Sequence, residues 1–324
     1  MFLSEKKVIH SEAIQRLMIM NMSATNTLKS ATNTLTWYAK ALRPDSVSIK
    51  PKPLGMKLDD ATPTYWFDNN SFLTHFLTAF SAIFPEGESF MIHSVRLFRA
   101  DISENKALNK DCGGFIGQEA HHSNEHSIIN DFMVKRGIPV DKLEAFIEWW
   151  VPLVKGMPEK DQMAITGAAE HLTALFGDMV LRNPDIINQV DPAVRPIWVW
   201  HAIEEIEHKA VTYDLFEAVD GSYARRVYGY AIALAFLSVF VSYGTALFMI
   251  EDRKNFSFSG TAKGLWWMFG LGKKSGYLRK SAPFLLEYFK FDFHPWKDDN
   301  SNLIKEWRPE LDRMLAEIKS KAAA

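Results

Sequence analysis

Three ionisable residues share one face of a predicted helix in the second half of the sequence. In His201-Ala-Ile-Glu-Glu-Ile-Glu-His208, the side chains of His201, Glu205 and His208 follow at steps of four and three residues, so all three lie on one stripe of an α-helix. An amphipathic helix normally has apolar residues on this stripe. Imidazole and carboxylate groups are rarely buried unless they are paired or bound to a metal. The segment therefore points to a neutralising partner, with metal ions as the first candidate.

A second segment repeats this arrangement. In Gly117-Gln-Glu-Ala-His-His-Ser-Asn-Glu-His126, Glu119 and His122 stand three residues apart, the same step as from Glu205 to His208. His126 lies on the same face one turn further on. A single Glu-x-x-His is common in helical proteins, but two copies in one chain are a stronger signal.

Two further glutamates lie about one helix and one loop before these segments. Glu88 precedes Glu119 by 31 residues, and Glu170 precedes His201 by 31 residues. Two antiparallel hairpins, each with a Glu helix and a Glu-x-x-His helix, account for both intervals. Two Glu-x-x-His helices and one Glu from each of two other helices are the ligand set of ferritin-like di-iron and di-manganese four-helix bundles.

Charge balance predicts a pair of metal ions. Four carboxylates in one bundle core are untenable at neutral pH without cations, and two divalent ions balance them. Mixed carboxylate and imidazole ligands suit two iron ions, with manganese as an alternative, and suit zinc less well. The predicted ligands are Glu88, Glu119, His122, Glu170, His201, Glu205 and His208.

Three neighbouring residues have open roles. His126 is a candidate either for a position behind the ligands or for direct ligation. Asp178 lies two turns beyond Glu170 and is a candidate to orient a His ligand. Glu204 could replace Glu205, although the repeated Glu-x-x-His spacing favours Glu205.

Composition excludes several other classes of protein. The 324 residues carry a formal net charge of −2, which gives no electrostatic reason to expect nucleic acid as a partner. Cys112 is the single cysteine, so zinc fingers, iron–sulfur clusters and intrachain disulfides are excluded. A reducing compartment, the cytoplasm, is the expected location.

The fold predicted from periodicity is all-α: a ferritin-like four-helix bundle with extra N-terminal and C-terminal helices. Residues 1–69 read as an N-terminal extension, 70–220 as the dimetal bundle, and 221–324 as an apolar helix with a C-terminal helical extension. Pro85 should bend or restart the chain before the Glu88 helix. Asp191-Pro192 should start the fourth bundle helix, which we expect to run to about Val219.

The longest apolar run, Val227–Ile250, contains no charged residue and is long enough to cross a bilayer. A core helix buried on all sides has the same composition. The segment after it, with Trp266, Trp267 and several lysines, is typical of an interfacial helix. We expect 227–250 to face lipid, a lipid-like substrate or a subunit partner. Association with the inner membrane, through contact or a spanning helix, and a homodimer are both compatible with this expectation.

Four blocks of the sequence resemble a known bacterial family, the predicted metal-dependent hydrolases, over roughly residues 60–310. The blocks are Phe84-Pro-Glu-Gly-Glu-Ser-Phe90, Phe115-Ile-Gly-Gln-Glu-Ala-His-His122, Arg195–His208 and Phe293-His-Pro-Trp296. The ligand pattern is also similar to that of the di-iron N-oxygenases that oxidise arylamines. They use a Glu, a Glu-x-x-His, a Glu and a His-x-x-x-Glu-x-x-His. The resemblance implies that His201 is a ligand, whereas His126 has no counterpart.

Three functions compete on this evidence. The first expectation is a di-iron enzyme that uses O₂ and an electron donor to oxidise a hydrophobic, lipid-like substrate. The alternative is a metal-dependent hydrolase in which the dinuclear centre activates a bridging water. The third is iron or peroxide handling on a ferritin-like bundle, which the long segment 221–324 makes less attractive.

Overall fold

The regular secondary structure of residues 43–323 is helical throughout, apart from one isolated β-bridge between Phe67 and Val190. These are the residues that the computed structural model describes; residues 1–42, most of the predicted N-terminal extension, lie outside them. The all-α prediction is confirmed. The α-helices of this part of the chain are α1 Ser71–Ser81, α2 Phe84–Phe98, α3 Lys106–Lys135, α4 Val140–Lys155, α5 Glu159–Arg182, α6 Pro184–Gln189, α7 Arg195–His208, α8 Val211–Val219, α9 Tyr223–Glu251, α10 Phe258–Phe269, α11 Tyr277–Leu285 and α12 Ser301–Ala323.

Local sequence signals set several helix ends. Asn70 caps α1 by accepting a hydrogen bond from the backbone N–H of Leu73 at 3.0 Å, and Asn105 caps α3 in the same way. Asparagine is favoured at this position because its side chain satisfies a free N–H of the first turn. Pro85 lies in the first turn of α2, so the chain restarts there as predicted.

The predicted fourth bundle helix is two helices. Residues 192–194 form a turn, α7 begins at Arg195, and the helix breaks after His208 before α8 begins at Val211. Neither Gly nor Pro marks this break. Lys209, at the break, is buried, and its ammonium donates to the backbone oxygen of Asp298 at 2.7 Å and to Asn300 Oδ1 at 2.8 Å. Contacts from a distant loop therefore hold the turn.

Helix α7 is the central element of the bundle. Every residue from Pro196 to His208 is buried, because α5 packs on one side of α7 and α12 on another. The approach of α5 is close: a Cβ at Gly177 would lie 3.2 Å from Ala202 Cα and 3.3 Å from Glu205 Cβ. A helix without a solvent-exposed face must satisfy all its polar side chains inside the protein.

The long apolar helix α9 packs on α5 and α1. It is the one helix of the described residues that is long and apolar enough to cross a membrane, and 33% of its most apolar window is buried inside the protein. Arg226, in its first turn, is buried and donates to the hydroxyl of Tyr213 at 2.8 Å. Length and composition alone do not distinguish a membrane span from a core helix of a soluble protein.

Gly229 tests the packing of α9 on α5. A Cβ at Gly229 would lie 2.5 Å from the backbone carbon of Ala164, so Gly229→Ala must push the two helices apart. We expect a loss of about 1–3 kcal/mol in the free energy of unfolding, measured by urea denaturation. Gly113→Ala is the matched control, because a Cβ there meets only the end of Arg99, at 3.8 Å, and alanine favours the helix. Equal stability of the two variants would contradict this packing.

Candidate metal centre

Four helices bring the seven predicted ligands into one buried cluster. Helix α2 contributes Glu88, α3 contributes Glu119 and His122, α5 contributes Glu170, and α7 contributes His201, Glu205 and His208. All seven are buried, and the most exposed, His201, has only 4% of its surface accessible. We name this set the Glu/His cluster. The pairing of α2 with α3 and of α5 with α7 brings together residues far apart in sequence.

Two adjacent subsets of the cluster have the geometry of metal sites. The potential ligand atoms of Glu119, His122, Glu205 and His208 all lie within 4.8 Å of one another, as do those of Glu88, His122 and His201. His122 belongs to both subsets, so the two groups of ligand atoms are neighbours. Glu170 belongs to neither, but its Oε1 accepts a hydrogen bond from His208 Nδ1 at 2.5 Å.

Several atoms of the cluster have no hydrogen-bond partner among the described residues. They are Glu88 Oε1, both carboxylate oxygens of Glu119, both ring nitrogens of His122, Glu170 Oε2 and His208 Nε2. An unsatisfied buried polar atom costs about 1–3 kcal/mol, and more if it is charged. Lone pairs that converge from carboxylates and imidazoles suit divalent cations such as iron or manganese. The residues present therefore fit a metal centre.

Electrostatics lead to the same conclusion. Burial, reinforced by neighbouring carboxylates, raises the pKa of Glu88 and Glu170 well above the usual value. Burial also raises the pKa of Glu119 to about 8, although the imidazole of His208 opposes the rise. Burial opposes ionisation of Glu205 too, but a hydrogen bond from His201 and nearby imidazoles lower its pKa to about 2. Without cations, the cluster thus retains protons where metal ligands would be ionised.

Hydroxyl groups of neighbouring turns orient two of the carboxylates. Ser123 donates to Glu88 Oε2 at 2.7 Å, and Thr173 donates to Glu205 Oε2 at 2.6 Å. Neither residue was predicted from the sequence. Their spacing offered a signal, because Ser123 follows Glu119 by four residues and Thr173 follows Glu170 by three, and residues at these steps share a helix face.

His126 lies behind the cluster. Its Nε2 is 2.6 Å from His201 Nδ1, and its Nδ1 is 2.8 Å from Ser81 Oγ. Neighbouring side chains therefore contact both ring nitrogens of His126, an arrangement that suits a position behind the ligands better than direct ligation. Glu204 is also buried, and its Oε2 lies 3.2 Å from His122 Nε2, whereas the two groups of potential ligand atoms include Glu205 and not Glu204.

The structure places Asp178 away from the Glu/His cluster. Its carboxylate accepts hydrogen bonds from Arg182 at 2.7 Å and from Asn300 at 2.7 Å, and these contacts tie α5 to the start of α12. Two turns from Glu170 correspond to about 80° of rotation away from the ligand stripe. Asp178 therefore serves the packing of the C-terminal helix and does not contact a histidine of the cluster.

An apolar cavity adjoins the cluster. The space between its walls is about 880 Å³, which includes a part open to solvent. Side chains of α1, α2, α4, α5 and α9 contribute to its walls, and only Glu88 and Thr173 among them carry a carboxyl or hydroxyl group. Glu88 belongs to the Glu/His cluster, and Thr173 is bonded to Glu205. The cavity therefore reaches the candidate metal centre at one end.

Comparison with known proteins gives one match. The sequence model of a family described as predicted metal-dependent hydrolase matches residues 50–299. No curated protein and no solved structure matches the chain. The matched region contains all seven residues of the Glu/His cluster and all of α9.

The pH dependence of stability tests the electrostatics. The folded-state pKa of Glu119, about 8, exceeds its unfolded value of about 4.3, so the folded state binds this proton more tightly than the unfolded state. The resulting contribution to the free energy of unfolding is present at low pH and is lost as pH rises toward 8. His208, with a pKa raised to about 10, acts in the same direction between about pH 6.5 and 10. The melting temperature of metal-free protein should therefore fall from pH 6 to pH 9, and Fe²⁺ or Mn²⁺ should restore it.

Glu119→Gln removes one of these groups. The melting temperature of the metal-free variant should fall less from pH 6 to pH 9 than that of the wild type. The variant should also bind fewer metal ions per chain. Glu104→Gln, at an exposed position of the loop before α3, is the control and should behave as the wild type. A metal-free wild type that is equally stable at pH 6 and pH 9 would contradict this account of the cluster.

Proposed function

The chain belongs to the family of predicted metal-dependent hydrolases, and we propose that it hydrolyses a hydrophobic substrate at a pair of metal ions held by the Glu/His cluster. One observation carries the proposal: the apolar cavity opens onto this cluster at Glu88. The family assignment supports hydrolysis better than the oxidation expected from the ligand pattern. The metal pair, its identity and the substrate are parts of the proposal.

The chain's own residues have distinct tasks in this reaction. When bound, the metal ions lower the pKa of water and polarise the scissile carbonyl group. Ser123 holds one oxygen of Glu88, which leaves Oε1 free toward a cation. Thr173 holds Oε2 of Glu205, whose Oε1 lies 2.8 Å from His201 Nε2. Because the remaining walls offer almost no polar partner, the polar, scissile end of a substrate belongs at Glu88 and its apolar part in the cavity.

Aromatic rings keep this region dry. Phe84 lies 4.3 Å from the ring of His126 and 4.6 Å from that of His201, measured between centroids. Trp200 packs edge-on against His122 at 4.8 Å, and Phe115 packs against His208 at 5.1 Å. Exclusion of water strengthens the interactions between the charged groups inside.

Oxidation by O₂ at a di-iron centre is the second candidate. Four carboxylates and three imidazoles from four helices are the donor types that iron accepts. Away from Glu88, the lining side chains offer only the hydroxyl of Thr173 and the indole N–H of Trp150 as polar groups, which suits a hydrocarbon better than a polar leaving group. This reaction needs an external electron donor, whereas hydrolysis needs none.

A chain-length comparison tests the proposal. Protein loaded anaerobically with Fe²⁺, Mn²⁺ or Zn²⁺ should hydrolyse an octanoyl ester under nitrogen with higher kcat/KM than the acetyl ester. Ala233→Trp fills the cavity from α9 and should lower kcat/KM for the octanoyl ester at least ~10-fold. Ala235→Trp, exposed on the same helix, is the control. Turnover only with O₂ and a reductant would contradict hydrolysis and favour the second candidate.

We propose further that the protein binds an anionic membrane surface through residues 253–286. This segment contains seven Lys and Arg residues and no Asp or Glu. It also exposes large apolar side chains, including Phe258 at 82%, Trp266 at 58% and Leu271 at 79%. Basic residues interspersed with exposed aromatics are typical of interfacial binding. The packing of α9 on α1 and α5 favours surface contact over a spanning helix.

Vesicle sedimentation tests this contact. The protein should sediment with vesicles of phosphatidylcholine and phosphatidylglycerol, less with pure phosphatidylcholine, and less at high salt. Trp266→Ala together with Lys263→Glu should weaken binding. Trp149→Ala, equally exposed but on α4, should leave it unchanged. Sedimentation independent of lipid charge, or unaffected by the paired substitution, would contradict the proposal.

A further inference from the structure

A chain of hydrogen bonds leads from the Glu/His cluster to the protein surface. His201 Nδ1 lies 2.6 Å from His126 Nε2, and His126 Nδ1 lies 2.8 Å from Ser81 Oγ. Ser81 then contacts Asn130 Oδ1 at 2.9 Å, and Asn130 Nδ2 contacts Glu144 Oε1 at 2.8 Å. The five residues come from α7, α3, α1 and α4. The first four are buried, whereas Glu144 is partly exposed.

The chemistry of its end gives this chain a direction. An ionised carboxylate only accepts hydrogen bonds, so Glu144 accepts from the amide nitrogen of Asn130, and the amide oxygen of Asn130 faces Ser81. Ser81 has a single O–H, which it donates to that oxygen. The oxygen of Ser81 must then accept a hydrogen bond from the N–H at Nδ1 of His126.

The same reasoning continues through the two histidines. A neutral His126 with its proton on Nδ1 has a lone pair on Nε2, which accepts from His201 Nδ1. With a proton on Nδ1, His201 turns its Nε2 toward the cluster, where the proton shared with Glu205 Oε1 occupies the place that a cation would take. That nitrogen lies 2.8 Å from Glu205 Oε1 and 3.8 Å from Glu88 Oε1. From His201 Nδ1 outward, each donor in the chain therefore points away from the cluster and toward Glu144.

We propose that Glu144, Asn130, Ser81 and His126 are positioning residues that hold the proton of His201 on Nδ1 and reserve its Nε2 for a metal ion. The inference rests on the metal centre of the proposed function. Hydrogen bonds to the far nitrogen of a metal-bound histidine fix its tautomer and ring orientation, and their loss typically costs 10–100-fold in metal affinity. Here the effect extends over three further residues, to a carboxylate on α4.

Zinc-loaded protein provides the test, because Zn²⁺ is diamagnetic. With ¹⁵N-labelled histidine, the wild type should show His201 protonated on Nδ1 and metal-bound through Nε2, with His126 protonated on Nδ1. Ser81→Ala removes the acceptor of His126 and should lower Zn²⁺ and Co²⁺ affinity about 10- to 100-fold. Glu144→Gln should weaken binding less, because glutamine can still accept from Asn130 but no longer imposes the direction. Ser81→Thr keeps the hydroxyl and should recover the affinity.

Matched controls separate positioning from stability. Ser127→Ala removes a hydroxyl of α3 that bonds only the backbone oxygen of Ser123, and Glu148→Gln removes an exposed charge one turn beyond Glu144. Both should keep the wild-type affinity and the wild-type ¹⁵N signals. Ser81→Ala with unchanged affinity, or His201 protonated on Nε2 in the loaded wild type, would overturn the inference. Absence of any Zn²⁺ or Co²⁺ binding by the wild type would instead remove the metal centre itself.

Discussion

Seven acidic and imidazole side chains share a space from which water is largely excluded, and their charge must be balanced there. Burial alone raises the pKa of Glu88 and Glu170 well above the usual range, so protons are held where the cluster lacks cations. In the proposed metal centre, cations would replace those protons and give the orphaned oxygens and nitrogens partners. The burial of α7 on all sides therefore requires that protons or cations neutralise its carboxylates.

Around the Glu/His cluster, the side chains become less polar with distance, from hydroxyl groups through aromatic rings to the apolar cavity. Hydroxyls of Ser123 and Thr173 hold the carboxylates, and His126 holds His201. Aromatic rings enclose the imidazoles, and the apolar cavity lies beyond them. On the opposite side of α7, Glu207 bonds Gln118 and forms an ion pair with Arg308 of α12. Glu207 thus has partners from two other helices, α3 and α12.

Much of this arrangement could be predicted from residue spacing, because residues three or four positions apart project from the same face of a helix. The steps from His201 to Glu205 and His208 and from Glu119 to His122 identified one face on each helix, and the matching 31-residue intervals located Glu88 and Glu170. The structure brings all seven together, and the family expectation is confirmed. Their action as metal ligands, the ferritin-like relationship and the similarity to N-oxygenases remain predictions.

What escaped prediction depends on contacts between distant segments. The break after His208 is held by a loop about 90 residues away along the chain, and no local signal marks it. Asp178 looked suitable by spacing but faces Arg182 and Asn300. Ser81 belongs to a helix outside the predicted hairpins, so no periodicity within the four bundle helices could connect it to His126.

Glu88 stands at a boundary, because its carboxylate belongs to the Glu/His cluster and also forms part of the cavity wall. Any molecule that fills the cavity would therefore change the surroundings of a proposed metal ligand. Thermodynamic linkage makes such an effect reciprocal: if occupancy of the cavity strengthens ion binding by some factor, bound ions strengthen occupancy by the same factor. In the proposed function, the binding of ions and the occupancy of the cavity would thus be coupled through a single side chain.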